Sequence, residues 1–518
     1  MRILVAEPLA EEGLQILRAE HEVEVRTGLP REELLAALPG FDALVVRSQV
    51  QVDAEVIAAG RDLQVIGRAG VGVDNIDLAA ATSAGITVVN APTGNTIAAA
   101  EHTLALLFAL TRRVAAADAS MRRGEWKRAD FTGRELRGKR LGIIGLGKIG
   151  MTVADRARAL EMELVGHDPY VTEDAAAHHG VRLVSLDRLI SASDVITVHV
   201  PLTRTTRGLI GAAELARMKP DALLINVARG GVVDEDALAA ALRDGVIGGA
   251  AVDVFVTEPP VGSALLDAPS TVLTPHLGAS TEEAQTRVAV EAAQQVLEVL
   301  AGRPARYAVN APLLTAETAQ AVGPFLPLAR LVGQLYAQLA PDLEGLTLEI
   351  SGELAAHDAS PLAAAALGGL LENVTEERVN LVNASHVARA HGIALVEHKT
   401  PESGRYASMV TLSGSTTVGG SMAAGQPRLV RLGDYWVDVP PAPHMLVTRH
   451  HDRPGTMGRI GQMLGDADVN ISAMHLGRSA PRADALMILA LDDPVPLEVA
   501  ERIREQEAVR DLWLIRLD

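Results

Sequence analysis

The chain contains no cysteine. Disulfides, thiol nucleophiles and thiolate-ligated metals are thereby excluded. Aromatic residues make up only 3%, too few for a surface that stacks on bases. Cationic side chains are in deficit, 47 Lys and Arg against 65 Asp and Glu, for a formal net charge of -18. A nucleic-acid backbone needs a basic footprint, so no nucleic-acid partner is expected. An anionic small molecule must be held by a local group of arginines. No apolar run is long enough to span a bilayer, and no membrane association is expected. The segment Met1-Arg2-Ile3-Leu4-Val5-Ala6 enters a strand pattern directly, without the apolar core and cleavage site of a signal peptide. The expected location is the cytoplasm.

What is present is a chain of 518 residues, 48% hydrophobic, enough for three or four domains. Up to about residue 92, buried-strand strings such as Ala43-Leu44-Val45-Val46-Arg47 and Leu63 to Arg68 alternate with amphipathic helices. A helix is predicted from Thr96 to Thr111. A second such unit opens at Leu141-Gly142-Ile143-Ile144 and runs to about 280. A helix from Thr281 to about Leu300 is expected to return the chain to the first unit. From about 313 to 440 helical stretches are predicted first. Two paired strands, Tyr406 to Leu412 and Pro427 to Leu432, then follow, joined by a turn from Ser413 to Ser421. Pro440-Pro441-Ala442-Pro443 reads as a stiff linker. The remainder fits a strand-helix-strand-strand-helix-strand plan.

The string Gly145-Leu146-Gly147-Lys148-Ile149-Gly150 follows a strand and precedes an amphipathic helix. Its first two glycines permit a tight turn and close approach of pyrophosphate, and the third permits close helix-strand packing. The helix N-terminus presents free N–H groups to phosphate. A second strand ends at Asp168, at the spacing of the acid that binds a ribose 2′-hydroxyl. Pro169 and Tyr170 follow, with no adjacent arginine for a 2′-phosphate, so NAD is the expected cofactor rather than NADP.

Downstream stand Arg229, Glu258 and His276, in that order. A cation to hold substrate charge, a carboxylate and an imidazole are what hydride exchange with a 2-oxo acid requires. The imidazole moves the proton, and the carboxylate orients it and raises its basicity. Arg47 ends an apolar strand, where a charge wants an anion; an internal salt bridge is the other reading.

At these strings the chain resembles the D-2-hydroxyacid dehydrogenase family, carried by Leu141 to Ala154, Asn226 to Asp236 and Pro275 to Thr281. Arg47-Ser48, Gly67 to Asn75 and Ala91 to Asn95 extend the resemblance to the long form, with an intervening domain and a C-terminal ACT domain. It implies an α/β chain of two doubly wound Rossmann-like domains, the first discontinuous, then an α+β intervening domain and a ferredoxin-like ACT domain. The boundaries so implied are 1–92 plus 281–305 for substrate binding, 93–280 for NAD binding, 313–440 for the intervening domain and 444–518 for the ACT domain.

The resemblance further implies that Val71, Gly145, Gly147, Lys148, Ile149, Gly150, Asp168, Val200, Val227, Ala228, Asp253, Gly278 and Ala279 meet NAD. Asp253 would bond the nicotinamide carboxamide or ribose. Arg47, Ser48, Gly72 and Asn95 would hold substrate. His450, Asp452 and Asn470 would hold an amino-acid effector between paired ACT domains. The implied activity is the reversible NAD-dependent oxidation of 3-phospho-D-glycerate to 3-phosphooxypyruvate, opening L-serine synthesis, with L-serine as inhibitor. The alternatives are another D-2-hydroxy acid, such as glycerate or 2-hydroxyglutarate, and a non-enzymatic NAD-sensing protein.

Trp126 is either a contact in a homo-oligomer, dimer or tetramer, or an ordinary core residue. Lys127 and Arg128 are either phosphate contacts or a solvated loop. His178-His179 and His450-His451 lack partners at ligand spacing, so no metal is expected. Arg378, His386 and Arg389 suggest an anion site or solvated charges.

Overall fold

A computed structural model describes residues 1–312, 316–340, 342–372, 374–375, 377–402 and 404–517. The first sheet is parallel, in the order β2-β1-β3-β4-β5. Its strands are β1 (Arg2–Val5), β2 (Glu22–Val25), β3 (Ala43–Val46), β4 (Val65–Arg68) and β5 (Thr87–Val89). The central strand β3 is buried along its whole length, as its unbroken apolar run predicts for a sheet covered on both faces. Helix Glu282–Leu300, capped by the Thr281 hydroxyl on Ala284 N–H, packs back on this unit. A Cβ at Gly13 of helix Glu11–Arg18 would lie 2.8 Å from the Ala289 Cβ, and one at Gly67 would lie 2.5 Å from Val296.

The second sheet comprises β6 (Arg140–Ile144), β7 (Glu163–His167), β8 (Arg182–Leu183), β9 (Val195–Val198), β10 (Leu223–Asn226), β11 (Gly249–Val252) and β12 (Thr271–Leu273). All pairs are parallel, in the order β12-β11-β10-β9-β6-β7-β8. Strand order reverses between β6 and β9, which opens the crevice where doubly wound sheets bind ligands. The doubly wound reading holds for both units.

The third sheet departs from the sequence reading. Its strands are β13 (Leu346–Gly352), β14 (Leu395–Thr400), β15 (Ser408–Ser413), β16 (Thr417–Ala423), β17 (Gln426–Leu432) and β18 (Tyr435–Val439), in the order β14-β13-β15-β16-β17-β18. The expected turn from Ser413 to Ser421 is in fact mostly β16, which pairs with both β15 and β17. The glycines that suggested a turn lie under bulk instead: a Cβ at Gly420 would sit 2.5 Å from Leu328. Helices Leu326–Leu339 and Ser360–Leu371 cover this sheet. They cross backbone to backbone at Gly333, whose added Cβ would be 1.9 Å from the Ala366 carbonyl oxygen.

The last sheet is antiparallel, β20-β21-β19-β22, formed by β19 (His444–His451), β20 (Ile471–Arg478), β21 (Asp484–Leu491) and β22 (Val509–Arg516). Met445, Val447, Leu486, Ile488 and Ile515 from this sheet join one apolar cluster with Leu335, Leu346 and Val410. Gln338 exchanges two hydrogen bonds with the Arg516 backbone, at 2.8 and 2.9 Å. The last two units therefore share a core across the proline linker. Among the described residues no helix is long and apolar enough to cross a membrane.

Candidate active site

Three successive strands of the second sheet deliver the polar residues singled out above. Arg229 follows β10, Glu258 follows β11 and His276 follows β12. Parallel neighbours end on the same edge, so topology alone gathers them at the carboxyl side of the sheet. His276 Nδ1 lies 2.8 Å from Glu258 Oε2 and 3.1 Å from Oε1. A carboxylate only accepts, so Nδ1 carries the proton and Nε2 is left as the acceptor. Both side chains are partly exposed. Phe255 N–H donates to Glu258 at 3.1 Å.

The cationic side of the cleft comes from both units. Arg229 Nε lies 3.3 Å from Asp74 of the first unit. A Cβ at Gly72 would stand 2.3 Å from Arg229 Nη2, so the absent side chain is what lets the guanidinium cross. The loop after β3 is clamped from beneath, as buried Glu7 accepts from Arg47, Gln49 and Val50 N–H at 2.9 to 3.2 Å. Asn75 donates to the Arg47 carbonyl at 3.0 Å. Among the described residues Arg47 makes no salt bridge to a carboxylate of the chain, so the internal ion pair held open above is not formed. Ser48 beside it is exposed.

Arg68 is a site residue that the sequence reading missed. Burial lowers its pKa to about 10, neighbouring Arg229 and Arg47 add to the effect, and Glu7 opposes it. Its Nε is buried without a hydrogen-bond partner. A desolvated guanidinium beside two others is costly unless an anion joins them. The signal was available, because Arg68 ends an apolar strand just as Arg47 does. Asn95 adds a second buried atom without a partner, its Oδ1. Its loop is tied to helix Glu282–Leu300 by Thr93 Oγ1 on Glu291 at 2.6 Å and Arg287 on the Gly94 carbonyl at 3.0 Å.

The nucleotide crevice fits a dinucleotide. Gly145 has φ +91, and a Cβ there would meet the His199 carbonyl oxygen at 2.6 Å; one at Gly150 would meet the Gly145 carbonyl oxygen at 2.1 Å. A Cβ at Gly147 would meet nothing within 4 Å. Two glycines are thus required by packing, and the middle one faces open space at the N-terminus of helix Lys148–Ala159. Asp168, at the end of β7, accepts from Leu146 N–H at 2.9 Å and Tyr170 N–H at 2.9 Å. Each oxygen keeps a lone pair for a ribose hydroxyl. Val71, whose carbonyl accepts from Asn90 at 2.6 Å, is half-buried. Val227 packs within reach of Gly278, and Val200 within reach of Gly145. His199 hydrogen-bonds Thr197 at 3.0 Å, and burial pushes it down to about 4.

Asp253 directly follows β11. Its side chain is fully buried. Oδ1 accepts from Thr274 Oγ1 at 2.6 Å, Leu277 N–H at 2.7 Å and His102 at 3.2 Å, and Oδ2 accepts from Gly278 N–H at 2.9 Å. Burial opposes ionisation, but these bonds outweigh it and hold the carboxyl below its ordinary value. These bonds clamp the loop that carries His276 and Ala279.

The remaining candidates fall as follows. Trp126 is 76% exposed, which removes the core alternative. Phe108, Val114 and Met121 are exposed nearby in sequence. Lys127 pairs with Glu125 at 3.3 Å. His179 bonds Asp155 at 2.9 Å. Arg378 reaches the Leu63 carbonyl at 3.0 Å, His386 lies 3.5 Å from Ser83, and Arg389 turns to Ser385, so these three do not form one anion site.

In the last sheet the three effector candidates do not meet within one chain. His450 is buried beside Thr448 at 3.2 Å, with its pKa lowered by burial. Asp452 accepts from Arg482 N–H at 3.0 Å and Arg478 at 3.4 Å; the Arg482 backbone bond leads in lowering its pKa. Asn470 donates to Asp492 at 2.6 Å. Strands β19 and β20 both run antiparallel to β21. Asn470 therefore sits at one end of the sheet and Asp452 at the other, an eight-residue strand apart, roughly 25 Å.

Three family profiles match the chain. They are the D-isomer specific 2-hydroxyacid dehydrogenase NAD binding domain over residues 104–278, the D-3-phosphoglycerate dehydrogenase intervening domain over 321–432, and the ACT domain over 444–508. D-3-phosphoglycerate dehydrogenase of a Synechocystis species is 44% identical, with 100% of this chain and 95% of that protein covered. The protein of that name from Archaeoglobus fulgidus is 42% identical with both chains covered in full. Among solved structures, a Thermus thermophilus protein is 39% identical with TM-score 0.55, covering 60% of this chain and all of that one. An NAD-dependent formate dehydrogenase of Staphylococcus aureus with bound NAD is 31% identical with TM-score 0.54, covering 59% of this chain and 97% of that one.

Proposed function

The chain belongs to the D-3-phosphoglycerate dehydrogenase family, and from that premise we propose how its own residues perform the reversible oxidation of 3-phospho-D-glycerate to 3-phosphooxypyruvate. The observation that carries this reading is a proton-accepting imidazole backed by Glu258 on the sheet edge that also carries Arg229, with Arg47 and Arg68 close to that arginine. Bound NAD supplies the hydride acceptor. Gly145, Gly147 and the amides of Lys148, Ile149 and Gly150 would hold its pyrophosphate and Asp168 its ribose, with Val71, Val200, Val227, Ala228, Gly278 and Ala279 lining the crevice.

In the oxidising direction His276 Nε2 takes the C2 hydroxyl proton as hydride leaves C2. Glu258 stabilises the imidazolium that results. Arg229 neutralises charge on the carboxylate and on the reacting oxygen. Arg47 and Arg68 hold the phosphate with Ser48 and the Gly72 amide, and Asn95 Oδ1 accepts from a substrate hydroxyl. Reduction returns the proton from His276.

We further assign the exposed apolar strip of Phe108, Val114, Met121 and Trp126 to a homo-oligomer contact. L-serine is assigned to a site built by two copies, Asp452 and His450 from one and Asn470 from the other, because one chain holds them a strand length apart. The experiment is NADH oxidation with 3-phosphooxypyruvate, pyruvate and glyoxylate. A kcat/KM that is not highest for the phosphorylated acid would reject the substrate assignment.

A further inference from the structure

We propose that His102 is a positioning residue for the acid/base histidine, acting through Asp253 on the loop that carries His276. This rests on the reading of His276 as the proton carrier. His276 has φ +55, left-handed backbone that a residue with a Cβ adopts only when its surroundings impose it. What imposes it is Asp253. The Asp253 carbonyl accepts from His276 N–H at 2.8 Å, and its carboxylate accepts from the next two amides, Leu277 at 2.7 Å and Gly278 at 2.9 Å. Three successive N–H groups converge on one residue, two of them on its carboxylate, so the orientation of that carboxylate fixes the turn just after His276 and with it the aim of the imidazole. Glu258 steers the ring but not the backbone beneath it.

Something must then fix the carboxylate. Among the described residues its donors Thr274, Leu277 and Gly278 belong to the loop itself and move with it. His102 does not. It stands on helix Thr96–Thr111, whose residues Ala98, Ala99, Ala100 and Thr103 are buried on either side of it. Its Nε2 lies 3.2 Å from Asp253 Oδ1 and 3.2 Å from Thr274 Oγ1. A carboxylate has no hydrogen to give, so Nε2 carries it, and the neutral ring suffices. The charged group facing His102 from β11 is Asp253; Glu101, next on the helix, turns away to Arg156 at 3.4 Å. His102 thus references the loop to the rigid helix.

The test uses the full-length protein with His102→Asn and His102→Gln, and His276→Ala as control. The glutamine amide can occupy the Nε2 position, whereas the asparagine amide is too short to reach. For His102→Asn we expect kcat to fall roughly tenfold, the order of one lost charge-assisted hydrogen bond, with KM for NADH and for the 2-oxo acid unchanged. His102→Gln restores kcat. Equal kcat in the asparagine and glutamine variants, or a loss confined to KM, would overturn the proposal. Wild-type turnover in His276→Ala would instead overturn the assignment of His276, a separate outcome.

Discussion

The second sheet and the last sheet handle polar residues in opposite ways. In the parallel sheet, neighbouring strands end side by side, so Arg229, Glu258 and His276 reach the same edge although the first and last are 47 positions apart, and Glu258 and His276 touch. In the antiparallel ferredoxin-like sheet, loops alternate between two ends, and Asp452 and Asn470 lie apart although 18 residues separate them. Parallel topology concentrates a site within one chain. Antiparallel topology disperses it, and the site proposed above then needs a second copy.

The contrast can be broken most severely at the proton carrier. His276→Ala is expected to lower kcat by about 10²–10⁴-fold, the usual weight of general acid–base catalysis, with NADH binding retained by fluorescence titration. Unchanged turnover would mean that the parallel sheet gathers these residues for packing alone. Next, Arg68→Gln should raise KM for 3-phosphooxypyruvate roughly 10- to 100-fold, as loss of a charge-assisted contact predicts, while KM for glyoxylate barely moves. An equal rise for both substrates would place Arg68 on the carboxylate.

The two-copy side is sharpened by mixing. Asn470→Ala and Asp452→Ala should each raise the serine concentration for half-inhibition by roughly tenfold. Co-expressed, mixed pairs of the two variants should regain wild-type sensitivity at one of their two sites, because that site then carries both intact partners. No recovery would place the effector within a single chain. The smallest effect concerns stability. His199 is held near 4, below its ordinary 6.5. As pH falls from 6.5 towards 4 the unfolded chain takes a proton that the folded chain refuses. Stability is therefore full above 6.5 and declines through that window by up to ~1.4 kcal/mol per pH unit. His199→Asn should flatten this limb in thermal midpoints measured between pH 4 and 7.

How much of this was legible in the sequence follows from the same contrast. Buried parallel strands are continuous apolar strings, and β3, β6, β9 and β10 could be read directly. The proposed catalytic residues Arg229, Glu258 and His276 and the glycine fingerprint carried their own local strings. Strand β16 was not legible, since Thr417-Val418-Gly419-Gly420-Ser421 spells a turn. Only the helix above it, with Leu328 against Gly420, explains why small residues belong there. Arg68 hid inside a strand reading, although the criterion that found Arg47 applied equally. His102 and the clamp role of Asp253 depend on a meeting of residues 151 positions apart, which no local pattern encodes.

The core shared by the third and fourth sheets has a consequence for how such a chain can be cut or recombined. Sequence places the seam at Pro440 to Pro443, yet a break there would uncover Met445, Val447, Leu486, Ile488 and Ile515 on one piece and Leu335, Leu346 and Val410 on the other. The two pieces should melt as one calorimetric unit, and neither should be soluble as a transplant. An earlier junction must fall beyond Asn310, because Tyr307 to Asn310 still pair with β5 and its neighbours and close the first unit. Inheritance of regulation by gene fusion would then be expected to move both C-terminal sheets together.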